Sequence, residues 1–319
     1  MSNNEYDQGR LNLPFVGICT FGKYPYADNW ENIEADLAVM GAPFDCGSQF
    51  RTGSRMGPRS IREASTLFSF GHAGAYDHED DITYLPSDTT KIVDLGDADI
   101  IHTDTIKSHE NIKYGVKKIL KAKAIPIVLG GDHSINIPCI EAFEKEKEFH
   151  LIQIDAHLDF VDERHGVRYG HGNLMRRASE KKYVTGMTQI GIRNVSSTAK
   201  DGYEDAKSRG SSIFSVRQYR NIGLNKILET IPQNKRYYID DELQWQFGED
   251  FLIFSSEYIV SSKRFNQFDF TLGMGWGKLA GAVDCDTCID NPIGKVFDSF
   301  NTRGGRAALG GTLNLECAF

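Results

Sequence analysis

Three side chains that can bind a divalent metal follow one apolar stretch of the sequence at alternate positions. Residues 152–154 have the character of a buried strand, and Asp155, His157 and Asp159 come directly after them. Successive side chains of a strand point to opposite faces, so these three would share one face if the strand continues. Carboxylate and imidazole groups are both good ligands for a borderline-hard divalent ion. A solvated polar strand end is the alternative interpretation of this motif taken alone.

A second polar cluster lies about twenty residues upstream, where the apolar run 125–129 leads into Gly-Gly-Asp-His-Ser at 130–134. His133 is a fourth potential ligand, whereas Asp132 is expected to accept backbone hydrogen bonds in the turn. An aspartate that bridges two ions would explain why several carboxylates gather without repelling each other. Two ions that share a hydroxide lower its pKa and hold it as a nucleophile.

Composition and charge narrow the class of protein. The chain has 319 residues, is 40% hydrophobic and 25% charged, and carries a net charge of -8, which argues against a nucleic-acid binder. We find no apolar run of the roughly 20 residues that a membrane span needs. The polar N-terminus lacks the apolar core of a signal peptide, so we expect a cytoplasmic protein. The six scattered cysteines are expected to be reduced thiols.

Strands alternate with helices along most of the chain, which predicts an α/β fold with a mostly parallel sheet and helices on both faces. The predicted strands are 36–41, 92–96, 125–129, 150–155, 188–192, 212–215 and 236–240, and the predicted helices are 58–66, 105–122, 134–148, 201–208 and 216–230. Ligands bind at the carboxyl ends of strands in such sheets, where both polar clusters lie. We predict a single domain over 1–319 with an irregular arm at 1–34. The pattern weakens after residue 241, where a strand at 280–284 and a helix at 307–319 are the predictions.

The two clusters resemble the first two signatures of the ureohydrolase family, which includes arginase, agmatinase and guanidinobutyrase. The segments are Gly-Gly-Asp-His-Ser at 130–134 and Asp-Ala-His-Leu-Asp at 155–159. Residues 49–59 and the Gly-His-Gly-Asn at 170–173 resemble the agmatinase branch in particular. The resemblance covers residues 17–238 and implies an arginase-like fold, a three-layer α/β/α sandwich. It also implies a homo-oligomer, a trimer or hexamer.

The resemblance further implies a site with two manganese ions, for which nickel is a possible substitute. His133 would bind one ion and His157 the other, Asp155 would bridge them, and Asp159 would complete the first ion's shell. A bridging hydroxide would attack the guanidinium carbon of a small cationic substrate, agmatine or a related compound, and release urea and an amine. His171 resembles the family's proton-shuttling histidine, and His165 in the same loop is its rival.

The match fails at the family's third signature, Ser-x-Asp-x-Asp-x-x-Asp-Pro. The chain has Asp240 and Asp241 there, and adjacent strand residues point to opposite faces, so both can act as metal ligands only with a bulge or a strand end. Asp290 is the nearest carboxylate for holding the guanidinium group. A diverged segment, a disturbed reading frame or a bulge would each explain the atypical region 240–319. The alternative function is therefore a catalytically impaired homologue with a structural or regulatory role.

Overall fold

The structure is a computed structural model. It describes residues 13–49, 52–68, 74–79, 81–233 and 235–241, together with the backbone of residue 242 and of three further strands at 258–265, 268–275 and 311–314. In these residues the strands are β1 Leu37–Gly41, β2 Ala75–Asp77, β3 Ile82–Tyr84, β4 Ile92–Asp97, β5 Ile125–Leu129, β6 Phe149–Asp155, β7 Val184–Ile192, β8 Ser211–Ser215, β9 Tyr237–Glu242, β10 Tyr258–Phe265, β11 Phe268–Gly275 and β12 Gly311–Asn314. The helices are α1 Gly57–Ser65, α2 Thr105–Lys121, α3 Asn136–Glu141, α4 Leu174–Ala178, α5 Lys200–Ser208, α6 Val216–Ile222 and α7 Leu224–Thr230.

Two parallel sheets form the centre of the described fold. One has the strand order β4-β1-β5 and the other the order β8-β7-β6-β9, and each neighbouring pair within them is parallel. Strands β2 and β3 form a small antiparallel hairpin, and β10, β11 and β12 form a separate antiparallel sheet. The predicted α/β class with a mostly parallel sheet and flanking helices is confirmed. Parallel pairing brings the carboxyl ends of β6, β7, β8 and β9 to one edge.

Helix α4 was not predicted, and three of the predicted helices differ from those in the structure. The helix predicted at 216–230 is divided into α6 and α7 because Gly223 adopts a φ of 79° that interrupts the helical hydrogen bonds. The helix predicted at 134–148 consists of α3 between two 3₁₀ turns, His133–Ile135 and Ala142–Lys145. The helix predicted at 307–319 is wrong at 311–314, where β12 pairs with β11 instead. The strand predicted at 280–284 lies outside the described residues.

The main core packs the helices against both sheets. It contains fully buried side chains from β1, α2 and β6, among them Met40, Ile112 and Leu151. Leu158 and Phe160, just beyond β6, are also completely buried, so the loop after β6 is attached to the core through its apolar side chains. Burial of each such side chain stabilises the fold by about 1.5–3 kcal/mol.

The edges of the two sheets line a common cavity. A cavity of about 1040 Å³ lies between β5 and β9 and is lined by residues of both strands. Ile125 on β5 and Ile239 on β9 are 62% and 67% exposed. No described strand pairs with the outer edge of either β5 or β9. Among the described residues, none of the helices combines the length and the apolar character that crossing a bilayer requires.

Candidate metal centre

The turn after β5 holds His133 in place through close backbone packing. A Cβ atom on Gly131 would lie 2.4 Å from the Ala42 carbonyl oxygen, so only glycine fits there. Asp132 accepts hydrogen bonds from the backbone nitrogens of Ser134 (2.9 Å) and Gly47 (2.6 Å), as predicted for a structural residue. Burial raises the pKa of Asp132, and these hydrogen bonds oppose that rise. The turn thus presents a buried His133 at the carboxyl end of β5.

The candidate ligands Asp155, His157 and Asp159 lie at the end of β6 and in the loop that follows it, not on a continuing strand. β6 ends at Asp155, and Asp159 has a φ of 49°, in the left-handed region. Ala156, Leu158 and Phe160 alternate with the three candidate ligands and are buried. The strand does not continue through the three candidate ligands, and the buried apolar side chains hold the loop that carries them.

His133, Asp155 and Asp159 come together into a buried cluster. One potential ligand atom from each lies within 4.8 Å of the other two. The Nδ1 atom of His133 is 2.8 Å from Asp159 Oδ2 and 3.6 Å from Asp155 Oδ2. Asp155 and Asp159 are only 2% and 6% exposed. We name these three residues the carboxylate–histidine cluster.

The cluster fits a divalent cation. His133 Nδ1 lies 2.8 Å from an Asp159 carboxylate oxygen. If Nδ1 carried no proton, its lone pair would repel the lone pairs of that oxygen, so a proton or a metal must lie on this side of the ring. Two buried carboxylates close together also carry a high desolvation cost, which a bound cation offsets. A donor set of two carboxylates and one imidazole suits manganese, nickel and zinc.

His157 lies beside the cluster and faces the other oxygen of Asp155. Its Nδ1 atom is 3.4 Å from Asp155 Oδ1, and its backbone nitrogen donates a 2.8 Å hydrogen bond to the same oxygen. The side chain of His157 is 13% exposed, compared with 3% for that of His133. The two oxygens of Asp155 are therefore each directed towards a different histidine.

A chain of two buried glutamines holds the Asp155 carboxylate. Gln153 donates from Nε2 to Asp155 Oδ2 at 2.8 Å, and Gln189 donates from Nε2 to Gln153 Oε1 at 2.6 Å. Both glutamines are completely buried, on β6 and β7. The sequence analysis did not identify them, although two glutamines at the centre of predicted buried strands were a visible signal. Hydrogen bonds of this kind fix the orientation of a metal ligand.

Asp240 and Asp241 lie on opposite faces of β9, as their adjacent positions require. Asp240 Oδ2 is 2.8 Å from His133 Nε2. The Oδ1 atom of Asp241 is buried and has no hydrogen-bond partner among the described residues. Burial, with a further contribution from Asp240, raises the pKa of Asp241 to about 7, and His133 acts in the opposite direction. The structure therefore brings Asp240, but not Asp241, to the cluster.

Strand β9 continues past residue 240, where the predicted strand ends. It extends through Glu242, and its register with β6 places Glu242 opposite Asp155 and Asp240 opposite Gln153.

The two candidate shuttle histidines occupy different environments. His171 begins a 3₁₀ turn, and its backbone nitrogen donates to the Gly47 carbonyl (3.3 Å), next to the Gly47 nitrogen that binds Asp132. His165 is exposed and has a φ of 53°. Asp290, the candidate for holding the guanidinium group, lies outside the described residues.

Comparison with known proteins identifies relatives of this chain. A human protein named mitochondrial guanidino acid hydrolase is 34% identical over 200 residues, which are 61% of this chain and 53% of that protein. A Pseudomonas aeruginosa guanidinobutyrase is 32% identical over 226 residues, 69% of this chain and 67% of that protein. The solved structure of proclavaminate amidinohydrolase from Streptomyces clavuligerus is 26% identical with a TM-score of 0.63, and covers 72% of this chain and 74% of that one. The chain thus spans about half to two thirds of the two sequence relatives.

Two family models match separate parts of the sequence. The model described as "Exopolysaccharide biosynthesis protein YbjH" matches residues 250–319, and the model described as "Arginase family" matches residues 35–239. The arginase-family match ends at the residue before Asp240, which is also where the sequence stops matching the family signatures. It covers more than half of the chain and includes His133, Asp155, His157, Asp159 and His171. The chain therefore belongs to the arginase family, the ureohydrolases.

Proposed function

We propose that this protein hydrolyses a guanidino compound to urea and an amine in a metal-dependent reaction. The observation that carries the proposal is the buried carboxylate–histidine cluster at the carboxyl end of β5 and β6. Membership of the arginase family supports the reaction class. The relatives named guanidino acid hydrolase and guanidinobutyrase support a guanidino substrate.

We assign His133, Asp155 and Asp159 to a first ion and His157 to a second, with Asp155 shared by both. Manganese is the proposed metal, with nickel as the substitute. A divalent pair held by these residues would supply Lewis acidity and would activate water as a nucleophile. The two oxygens of Asp155 face the two histidines, as a shared ligand requires.

His171 is the proposed proton carrier, and the net negative charge of the chain is the proposed attraction for the substrate's cationic group. Gly47 accepts a hydrogen bond from the His171 backbone nitrogen and donates one to Asp132, the residue before His133. The turn that carries His171 therefore lies near the cluster. The net charge of -8 favours approach of a cation. Agmatine and guanidinobutyrate are the leading substrates. A cytoplasmic location, a homo-oligomer and a single domain over 1–319 remain predictions.

The test combines metal analysis with an assay of urea release. Purified full-length protein is loaded with Mn²⁺ or Ni²⁺, and urea is measured with agmatine, 4-guanidinobutyrate, 3-guanidinopropionate and guanidine. We expect bound metal and urea from at least one of these compounds. Asp159→Asn should lower metal content and urea release together, because it removes a buried ligand.

A matched control separates the proposed machinery from general damage. His78→Ala, at an exposed histidine next to the β2–β3 hairpin, should leave urea release unchanged. His171→Ala should lower it strongly, since about 10²–10⁴-fold depends on a positioned proton carrier. A folded protein that binds no metal at micromolar Mn²⁺ and releases no urea would refute the proposal and favour the catalytically impaired homologue.

A further inference from the structure

A chain of side-chain hydrogen bonds runs from β9 to the far side of the His133 ring. The Tyr238 hydroxyl donates to Asn136 Oδ1 at 2.5 Å, and Asn136 Nδ2 donates to Asp240 Oδ1 at 2.8 Å. The carboxylate of Asp240 lies 2.8 and 3.0 Å from His133 Nε2. Asp240 is 3% exposed and His133 is 7% exposed, so solvent contributes little to this chain.

The positions of the carboxylates around His133 determine which of its nitrogens faces a metal in the cluster. The Asp240 carboxylate only accepts hydrogen bonds, so His133 Nε2 must carry the proton that it donates. The Nδ1 atom faces Asp155 and Asp159, so a metal held by the carboxylate–histidine cluster lies on the Nδ1 side of the ring. A carboxylate on the second nitrogen fixes both the tautomer and the orientation of a histidine that binds a metal, and it raises the basicity of the ring.

We infer that Asp240 is a positioning residue that acts through His133 rather than a direct metal ligand. The inference rests on the proposed function only in that it takes the metal to lie in the carboxylate–histidine cluster. A metal on Nδ1 and a carboxylate on Nε2 lie on opposite sides of the imidazole ring. Asp240 is therefore far beyond the ~2.0–2.2 Å at which a carboxylate binds a metal such as zinc.

Asn136 and Tyr238 complete the arrangement by orienting the Asp240 carboxylate. Asp240 Oδ1 lies within hydrogen-bonding distance of both Asn136 Nδ2 (2.8 Å) and His133 Nε2 (3.0 Å). A single neutral amide oxygen has two lone pairs and can accept both hydrogen bonds. The positioning role therefore requires an acceptor at residue 240 but not a negative charge. A direct metal ligand would require the charge.

This difference gives the experiment. Asp240→Asn keeps the acceptor and Asp240→Leu removes it, and Mn²⁺ affinity of both variants is measured by calorimetric titration of the full chain. We expect Asp240→Leu to lower the affinity about 10–100-fold. Asp240→Asn should retain most of the affinity. In a His133→Ala background, Asp240→Leu should cause no further loss, because its effect passes through the missing ring.

A second measurement does not depend on metal or activity. The ¹⁵N-labelled metal-free protein should show a hydrogen-bonded Nε2 proton for His133 at neutral pH, retained in Asp240→Asn and lost or shifted in Asp240→Leu. Equal losses of Mn²⁺ affinity in the two variants, an added loss in the His133→Ala background, or an unprotonated Nε2 in the unmodified protein would each overturn the inference. Metal binding with this pattern but without urea release would refute the proposed function and leave the inference standing.

Discussion

The buried histidine of α2 makes a quantitative prediction about stability and pH. His109 is 7% exposed and lies against the rings of Phe44 and Tyr169, with ring centroids 5.1 and 6.3 Å away. Its Nε2 atom has no hydrogen-bond partner among the described residues. Burial lowers the pKa of His109 to about 4, and the charge of Glu141 opposes this only in part.

A histidine whose pKa is lower in the folded state is neutral when folded and becomes protonated first in the unfolded chain. Its contribution to stability is present above the unfolded pKa of about 6.5 and is lost as the pH falls towards 4. Between pH 7 and pH 5 this one group should therefore cost about 2 kcal/mol of unfolding free energy.

The variant His109→Leu removes the titrating group and fills a similar volume. Urea unfolding at pH 7 and pH 5 should show that the variant loses about 2 kcal/mol less stability than the unmodified protein over this interval. The control is His102→Leu, at an exposed position near the start of α2, which should preserve the pH dependence. An unchanged loss of stability in His109→Leu would refute the reasoning, because the protonation would then arise elsewhere.

Three further substitutions test contacts that hold the site or the fold in place. Gln153→Leu removes the donor to Asp155 and should weaken Mn²⁺ binding about 10–100-fold in a titration. Arg62→Met leaves the buried Asp94 without its 2.8 Å ion pair and should lower the unfolding free energy by about 3–5 kcal/mol in urea denaturation. Gly131→Ala places a methyl group against backbone oxygens and should lower the melting temperature, whereas unaltered melting would show that the turn can adjust.

The sequence predicted those parts of the fold that depend on local patterns. The strand Ile125–Leu129 and the helix Thr105–Lys121 agree with prediction within one residue, because their apolar periodicity and end signals are contained within each segment. The break at Gly223 could not be predicted, since a glycine inside a helical pattern adopts a positive φ only when the surrounding packing requires it. The short strand Ala75–Asp77 is exposed or half-buried and lacks a clear alternating pattern.

In the candidate site, too, the sequence predicted the residues that follow local patterns but not the contacts that depend on long-range pairing. Asp155 and Asp159 were predicted from their spacing, and His133 from its position after a neighbouring strand. The contact of Asp240 with the far nitrogen of His133 joins residues 107 positions apart, and only the register of β9 against β6 determines it. The sequence alone also could not show that β9 continues two residues past Asp240. Long-range pairing therefore supplied what local pattern lacked.

The parallel pairing of β6 with β9 also bears on the order in which the molecule can assemble. A growing chain that has reached residue 233 already contains the whole carboxylate–histidine cluster, but the strand that carries Asp240 has not yet been synthesised. Until β9 docks beside β6, the Nε2 side of the His133 ring lacks the Asp240 carboxylate. Ion affinity should therefore rise only at that late step, and the bound ion would in turn resist the departure of β9. Strand β9, the last strand of this region to be synthesised, and the metal would thus stabilise each other in the folded protein.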